Sequence, residues 1–521
     1  MSTTPRRLTA MSRLTVVPML AALTAALTPS AFAADHGRPA ADWQQLARIW
    51  EAGEPVPVSL VEALLERTGD TRWYSVEISG ARAGYMSVSA ALVDDGDVPR
   101  LRIETYVRIH FAVDGKTQQI AGHHIEDYNA ALRPTRIELW RDTMGRLSQT
   151  SVSVVDPASL HVSVTQPDGT HERTVPLPPD FSSELMLSIA MLAGQVRPGW
   201  TATFSAFDPY SAMLDRYRVS VPDQAADEMG TLVYLAAEQA GVTMRTWIGE
   251  DGVMRRQALP ELMGIAMQLC SREEALAPVV GPSLQSDIAV GTPEVNPHQA
   301  EQVRLVASAA GTDVATLIPE LPYQHVEPCA DGSALITISR HVPPERTVSL
   351  PISDAEFEQY LSPNEITQSD SPQIRELAHQ IIGDETDAWA AAQKLLSWVY
   401  KSIGKLKSEP RPISAVEVLA QRKGDCTEHA VLLAALAKAA GVPPRIVTGL
   451  VYTNGSYGYH EWNELYVGEW VSMDPSWGKH VLGAGHIQLS SEAADADAIL
   501  KNNIASGRTI GTLFLEFYPN E

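Results

Sequence analysis

The spacing of apolar and polar positions changes three times along this chain. Between residues 40 and 70 apolar side chains recur at helical intervals, with Trp43, Leu46, Ile49 and Trp50 on one side and Leu60, Leu64 and Leu65 further on, which predicts a short helical entry. From Trp73 to about Trp247 the period shortens to two. Runs such as Leu101 to Val107, Thr135 to Trp140, Val152 to Val155 and Tyr217 to Val221 alternate with the turn pairs Asp95-Gly96, Asp114-Gly115 and Asp168-Gly169. They predict an antiparallel meander, interrupted by one helix over Ser182 to Ala193. Met254 to Leu269 reads as a strand followed by a helix.

Pro278, Gly281, Pro282, Gly291, Pro293 and Pro297 then punctuate a linker. Apolar stretches between 301 and 352, including Val303 to Val306 and Leu335 to Ile338, predict strands of a small connecting piece. Beyond about 355 the period is helical again. Gln373 to Ile382 follows a Ser371-Pro372 start signal, and Asp387 to Ile403 sets Ala391, Leu395, Trp398 and Val399 along a face. The fold class expected is α+β, in four stretches: 1–33 an export signal, 34–280 a β-rich antiparallel domain, 281–354 a linker with a small β-rich segment, and 355–521 a helical and β-stranded domain. A length of 521 residues suits about three domains.

The export signal is read from Arg6, Arg7 and Arg13, the apolar stretch Leu14 to Leu27, and Ala31-Phe32-Ala33, with cleavage expected after Ala33. Its loss removes three positive charges and no negative ones, taking the formal charge from -23 to -26. So acidic a chain repels nucleic acid and anionic membranes, and no nucleic-acid partner is expected. No later stretch approaches the roughly 20 apolar residues that span a bilayer, so no stable membrane insertion is expected after cleavage. The location expected is periplasmic or secreted. Cys270, Cys329 and Cys426 are the only cysteines; either Cys270 pairs with Cys329, leaving Cys426 free, or all three are reduced.

The chemistry gathers around Cys426. Gly424-Asp425-Cys426-Thr427-Glu428-His429 opens an apolar helix, with Asp425 and Glu428 as its caps, so Cys426 stands where backbone amides and the helix dipole favour a thiolate. Gly441-Val442-Pro443-Pro444 ends that helix, and Arg445 to Tyr452 reads as a strand. His460 opens a second strand, and a Gly468-Glu469 turn leads into Trp470 to Pro475, which carries Asp474 back toward His460. A thiol needs a base, and the base needs an orienting group; Cys426, His460 and Asp474 fit those catalytic roles. Trp462 and Trp477 are candidates to bind substrate, with core packing as the alternative. Trp398, Tyr400 and Gln421 are candidates for a second oxyanion donor. No metal and no cofactor are expected: Glu428 and His429 beside Cys426 lack a zinc-type spacing, and no Asp-rich calcium loop occurs.

Residues 355 to 521, most closely 422 to 478, resemble the transglutaminase-like superfamily. The resemblance rests on Arg422-Lys423-Gly424-Asp425-Cys426, Ala430 to Ala440, Gly441 to Arg445, His460-Glu461-Trp462-Asn463-Glu464 and Trp470 to Pro475. It implies a papain-like fold with a nucleophile helix packed on an antiparallel sheet, and acyl transfer through a Cys426 thioester. Expected substrates are proteins, peptides or cell-wall peptides, with hydrolysis favoured slightly over transfer to an amine. The alternative is an inactive binding or scaffold protein of the envelope.

Overall fold

The computed structural model describes residues 43–518, except positions 69–70, 94–98, 114–115, 144–145, 167–168, 184, 194, 209–212, 222–232, 240–241, 250–252, 261, 285–286, 292, 294, 311, 365, 406–413, 495–501 and 503–504. The expected export signal lies outside the described residues, as do Asp95-Gly96 and Asp114-Gly115. The chain divides between Leu284 and Gln285 into two compact units.

In the first unit the meander is formed by β1 (Arg72–Ile78), β2 (Ala81–Val93), β3 (Arg100–Val113), β4 (Lys116–Tyr128), β5 (Pro134–Thr143), β6 (Arg146–Asp156), β7 (Ser159–Gln166) and β8 (Gly169–Pro176), each antiparallel to the one before. The period of two does what it should: Thr105, Val107, Ile109 and Phe111 of β3 are buried, whereas Tyr106 and Arg108 are exposed. A helix at Leu185–Leu192 follows, then β9 (Thr201–Asp208), β10 (Met213–Ser220), β11 (Val233–Gln239), β12 (Val242–Ile248), β13 (Met254–Leu259) and β14 (Ile265–Cys270). The sheet runs β8 to β1 and continues β14 to β9; β15 (Ser283–Leu284) adds in parallel to β3. Leu46 and Val61, from helices Trp43–Ala52 and Val58–Thr68, pack with Leu185 and Ile189 on Leu101 and Tyr128.

One expectation fails here. Residues 265–270 form a strand, where the sequence suggested a helix. β14 sits between β13 and β1 and pairs with both, so its backbone groups are satisfied by the sheet, and a reverse turn with Met263 and Gly264 at positive φ replaces the expected strand-to-helix step.

The second unit holds two larger sheets. β16 (Asp287–Ala289), β22 (Pro444–Thr453), β23 (Ser456–Tyr466), β24 (Trp470–Met473) and β25 (His486–Ala493) form one, ordered β16-β23-β22-β25 with β24 on the β23 edge. β17 (Gln302–Ala309), β18 (Gln324–Pro328), β19 (Ala334–Ser339) and β26 (Leu513–Phe517) form the other. The segment read as a connecting piece thus takes an edge strand from the end of the chain, through the β17–β26 pairing. Helix Cys426–Ala439 is apolar nearly all round and is accordingly buried, between β22 and β23 on one side and helices Pro372–Ile382, Ala388–Ser402 and Ala415–Gln421 on the other. Its one buried cation, Lys438, donates to the carbonyls of Ser362 and Ala494 at 3.0 and 2.9 Å. The architecture is α+β, with a large antiparallel N-terminal sheet and a helix-on-sheet C-terminal domain. No described helix is long and apolar enough to cross a membrane.

Candidate functional site

The start of the cysteine helix is fixed by a capping box. The Asp425 carboxylate accepts from Thr427 N–H at 3.0 Å, and Glu428 reaches back to accept from Asp425 N–H at 2.7 Å. Glycine is needed at 424, because a Cβ there would stand 2.4 Å from Cβ of Glu428. Short parallel strands β20 (Gly404–Lys405) and β21 (Lys423–Gly424) tether the approach, and Cys426 becomes the first residue of the helix.

Cys426 is 7% exposed and accepts a hydrogen bond from the N–H of the peptide joining His460 to Glu461. Its thiol is not acidified, contrary to the expectation from the helix terminus. Burial pushes it well above the ordinary range, and the carboxylates of Asp425, Glu461 and Glu428 add to this against the single Glu461 N–H. The terminus supplies a partial charge, whereas desolvation and three neighbouring acids act on the whole of it.

His460 lies within β23, opposite Gly449 of β22, four residues after the strand begins and not at its start as the sequence suggested. The β23–β24 ladder runs from Tyr466–Trp470 to Asn463–Met473. Asp474 then leaves the ladder, and a turn closed by reciprocal backbone bonds to Lys479 aims its side chain back at His460. His460 Nε2 and Asp474 Oδ2 are 2.8 Å apart, both side chains fully buried. Oδ1 of the same carboxylate accepts from Ser476 N–H, Ser476 O–H and Trp477 N–H at 2.9, 2.8 and 3.0 Å. Burial alone would raise the Asp474 carboxyl, but the His460 and His486 imidazoles hold it well below the usual carboxylate range. Nδ1 of His460 is buried and has no partner.

Three residues that the sequence reading passed over belong to this cluster. His486 Nε2 lies 3.5 Å from Asp474 Oδ2, and burial lowers this imidazole to about 4 despite the carboxylate. His298 packs on Trp477 and His486 at ring separations of 5.1 and 5.5 Å and donates from Nε2 to the Tyr452 carbonyl at 2.8 Å. Glu461 is buried beside Cys426, with burial raising its carboxyl to about 7 against a hydrogen bond from Thr427. Only the position of Glu461, next to His460, was visible locally. His486 and His298 arrive through pairing and packing over long sequence distances.

Trp462 is 1% exposed and lies under the imidazoles, stacked on His460 and edge-on to His486, so it packs and offers no surface to a substrate. Trp477 is partly exposed beside His460. Room for Trp462 comes from Gly449, where a Cβ would stand 2.1 Å from the Ile487 carbonyl and 2.5 Å from the indole. Gly449→Ala should therefore cost about 1–3 kcal/mol by overpacking; a thermal unfolding midpoint equal to the parent's would show that the stack can shift. Of the oxyanion candidates, Trp398 lies under the Arg422 guanidinium, Tyr400 lies against Gly478 in the loop after Asp474, and Gln421 is partly buried at the end of its helix. Among the described residues, the metal-competent group that converges is His460, Asp474 and His486, with ligand atoms within 4.8 Å of one another, and not Cys426, Glu428 and His429. Cys270, Cys329 and Cys426 are all free thiols, so the reduced alternative holds.

No curated protein matches the chain. Among solved structures, it is similar to a candidate cysteine protease from Cytophaga hutchinsonii, at 15% identity and TM-score 0.29 over 45% of this chain and 84% of that one. It is similar to a β-barrel-like protein from Brucella abortus at 14% identity and TM-score 0.28, covering 39% of this chain and 95% of that one. The periplasmic domain of TgpA from Pseudomonas aeruginosa, bound to ethylmercury, is similar at 15% identity and TM-score 0.26, over 37% and 84%. A family model described as the transglutaminase-like superfamily matches residues 375–475, the stretch that runs from the helix Pro372–Ile382 to just past Asp474. The match is confined to the C-terminal domain, where residues 375–475 carry a transglutaminase-like core.

Proposed function

We propose that the C-terminal domain is an exported cysteine enzyme acting on amide bonds through a thioester on Cys426, with His460 as base and Asp474 as orienting group. The observation that carries this is the 2.8 Å bond from His460 Nε2 to Asp474, which leaves Nδ1 as the free nitrogen while Cys426 hydrogen-bonds the very next peptide N–H. Nδ1 takes the thiol proton, Sγ attacks the carbonyl carbon, and the C–N bond breaks as His460 returns that proton to the leaving amine. Water or a second amine then attacks the thioester, His460 takes its proton, and the C–S bond breaks to regenerate the thiol. A thiol held well above its ordinary range stays protonated until the imidazole takes its proton, so thiolate forms only as an ion pair. Hydrolysis of a peptide-like amide is favoured slightly over transfer to an amine, and the export-signal pattern of residues 1–33 supports a location in the periplasm or outside the cell.

The buried thiol favours a second reading, in which the domain is an inactive binding or scaffold module. Incubation with candidate peptides, cell-wall peptides and amines, followed by mass spectrometry, separates the two. An acyl adduct on Cys426 in the parent, absent from Cys426→Ala and lowered at least about a hundredfold in His460→Ala and Asp474→Ala, is the expected result. Equal adduct in parent and His460→Ala would leave the scaffold reading standing.

A further inference from the structure

We propose that His486 is a positioning residue for the Asp474–His460 pair, an Nε2–H donor that shares Oδ2 with His460 and thereby fixes both the aim of the carboxylate and how much of its charge His460 meets. This rests on the catalytic reading above. β22 is flanked by β23 on one edge and β25 on the other, and the registers Gly449–His460 and Val451–His486 bring one imidazole from each side to meet at a single carboxylate. His486 is 2% exposed, and four rings surround it: Trp462 edge-on at 5.3 Å and 79°, His298 at 5.5 Å and 71°, Trp477 at 6.1 Å and 70°, and His460 at 6.2 Å and 50°. Its Nδ1, like that of His460, is buried without a partner. A side chain held this firmly, with its one polar contact on the orienting carboxylate, acts on the reaction through that carboxylate.

The two contacts are unequal. His460 stands at 2.8 Å from Oδ2 and His486 at 3.5 Å, so His460 keeps the strong bond while His486 draws off part of the negative charge. The titratable groups facing His486 are Asp474, His460, His298 and His341. With burial holding it near 4, His486 stays neutral through the range in which a thiol enzyme works, and its donor role is constant there. Removing the donor leaves more negative charge on Oδ2 for His460 alone, so the imidazolium is stabilised beside the neutral thiol and the imidazole becomes free to take the thiol proton only at higher pH. Removing the ring also loosens the aim of the carboxylate, which slows thiolate formation at every pH.

The test is the pH dependence of Cys426 alkylation by iodoacetamide in the full chain, read by mass spectrometry of the Cys426 peptide so that Cys270 and Cys329 do not interfere. For His486→Phe the expected result is a plateau rate lower on the order of tenfold and an acid limb displaced upward by about half a pH unit. His486→Gln, whose amide N–H reaches to the same place as Nε2, should restore most of both. If His486→Phe unfolds, as checked by circular dichroism, His486→Met gives the same comparison, filling the site with a flexible side chain and no donor. A donorless variant whose profile superimposes on the parent's overturns the proposal, as does a displacement that the glutamine fails to reduce. His460→Ala in the same assay reads the catalytic assignment separately: an unchanged rate there removes the thiol–imidazole pair itself, whatever His486 does.

Discussion

Asp474→Asn is expected to slow acylation of Cys426 by about 10³- to 10⁴-fold while the domain stays folded. Oδ1 is held by Ser476 N–H, Ser476 O–H and Trp477 N–H, so the amide oxygen must take that position. The amide NH₂ then faces His460 and His486, and two donors meet at the place where Oδ2 accepted. His460 is driven to the other tautomer, with its proton on Nδ1, the nitrogen needed as base. Because the native carboxyl is held well below the usual range, no titration of Asp474 complicates comparison across neutral and basic pH. Acylation by p-nitrophenyl acetate, followed as p-nitrophenol release and as the mass of the Cys426 peptide, provides the readout. A variant retaining more than a tenth of the parental rate would mean that Asp474 supports structure only.

Glu461→Gln should have the second-largest effect, and one of opposite sign. The folded state keeps the Glu461 proton up to about pH 7, whereas in the unfolded chain it is lost near 4.5. The folded state thus binds more protons between those values, and the contribution of this group is full below about 4.5 and falls as pH rises through 7. A shift of that size corresponds to on the order of 3 kcal/mol of lost stability at pH 8. The glutamine carries no charge to bury, so its denaturant midpoint should match the parent's at pH 4 and exceed it clearly at pH 8. With one of the acids beside Cys426 removed, thiol alkylation near neutral pH should also become faster. Parent and variant stabilities that stay parallel from pH 4 to 8 would show that the carboxylate is solvated in solution.

How much was legible depended on the range of the interactions involved. The Asp425 to Glu428 capping box spans four residues, and its side chains meet within one turn, so the helix start could be read directly. His460 and Asp474 are joined by a hairpin of adjacent strands, and the Gly468-Glu469 turn sufficed to bring them near the same end. By contrast, 265–270 carries an apolar run that suits either a helix or a strand, and pairing with β1, nearly two hundred residues earlier in the chain, decided for the strand. Trp462 gave no local sign of whether it would face a cleft or the space above Gly449.

By itself, then, the sequence determined the local order of this protein: the alternation that makes the N-terminal meander, the capped helix that presents Cys426, and the hairpin that carries His460 and Asp474. Those features follow from nearest-neighbour backbone chemistry and from side-chain period. Tertiary structure alone decided that the thiol is pushed up where the helix terminus would have lowered it, that Glu461 is buried beside it, and that His486 crosses from β25 to share the Asp474 carboxylate. Desolvation and charge coupling depend on every group packed around an atom, and strands far apart in sequence supplied those groups.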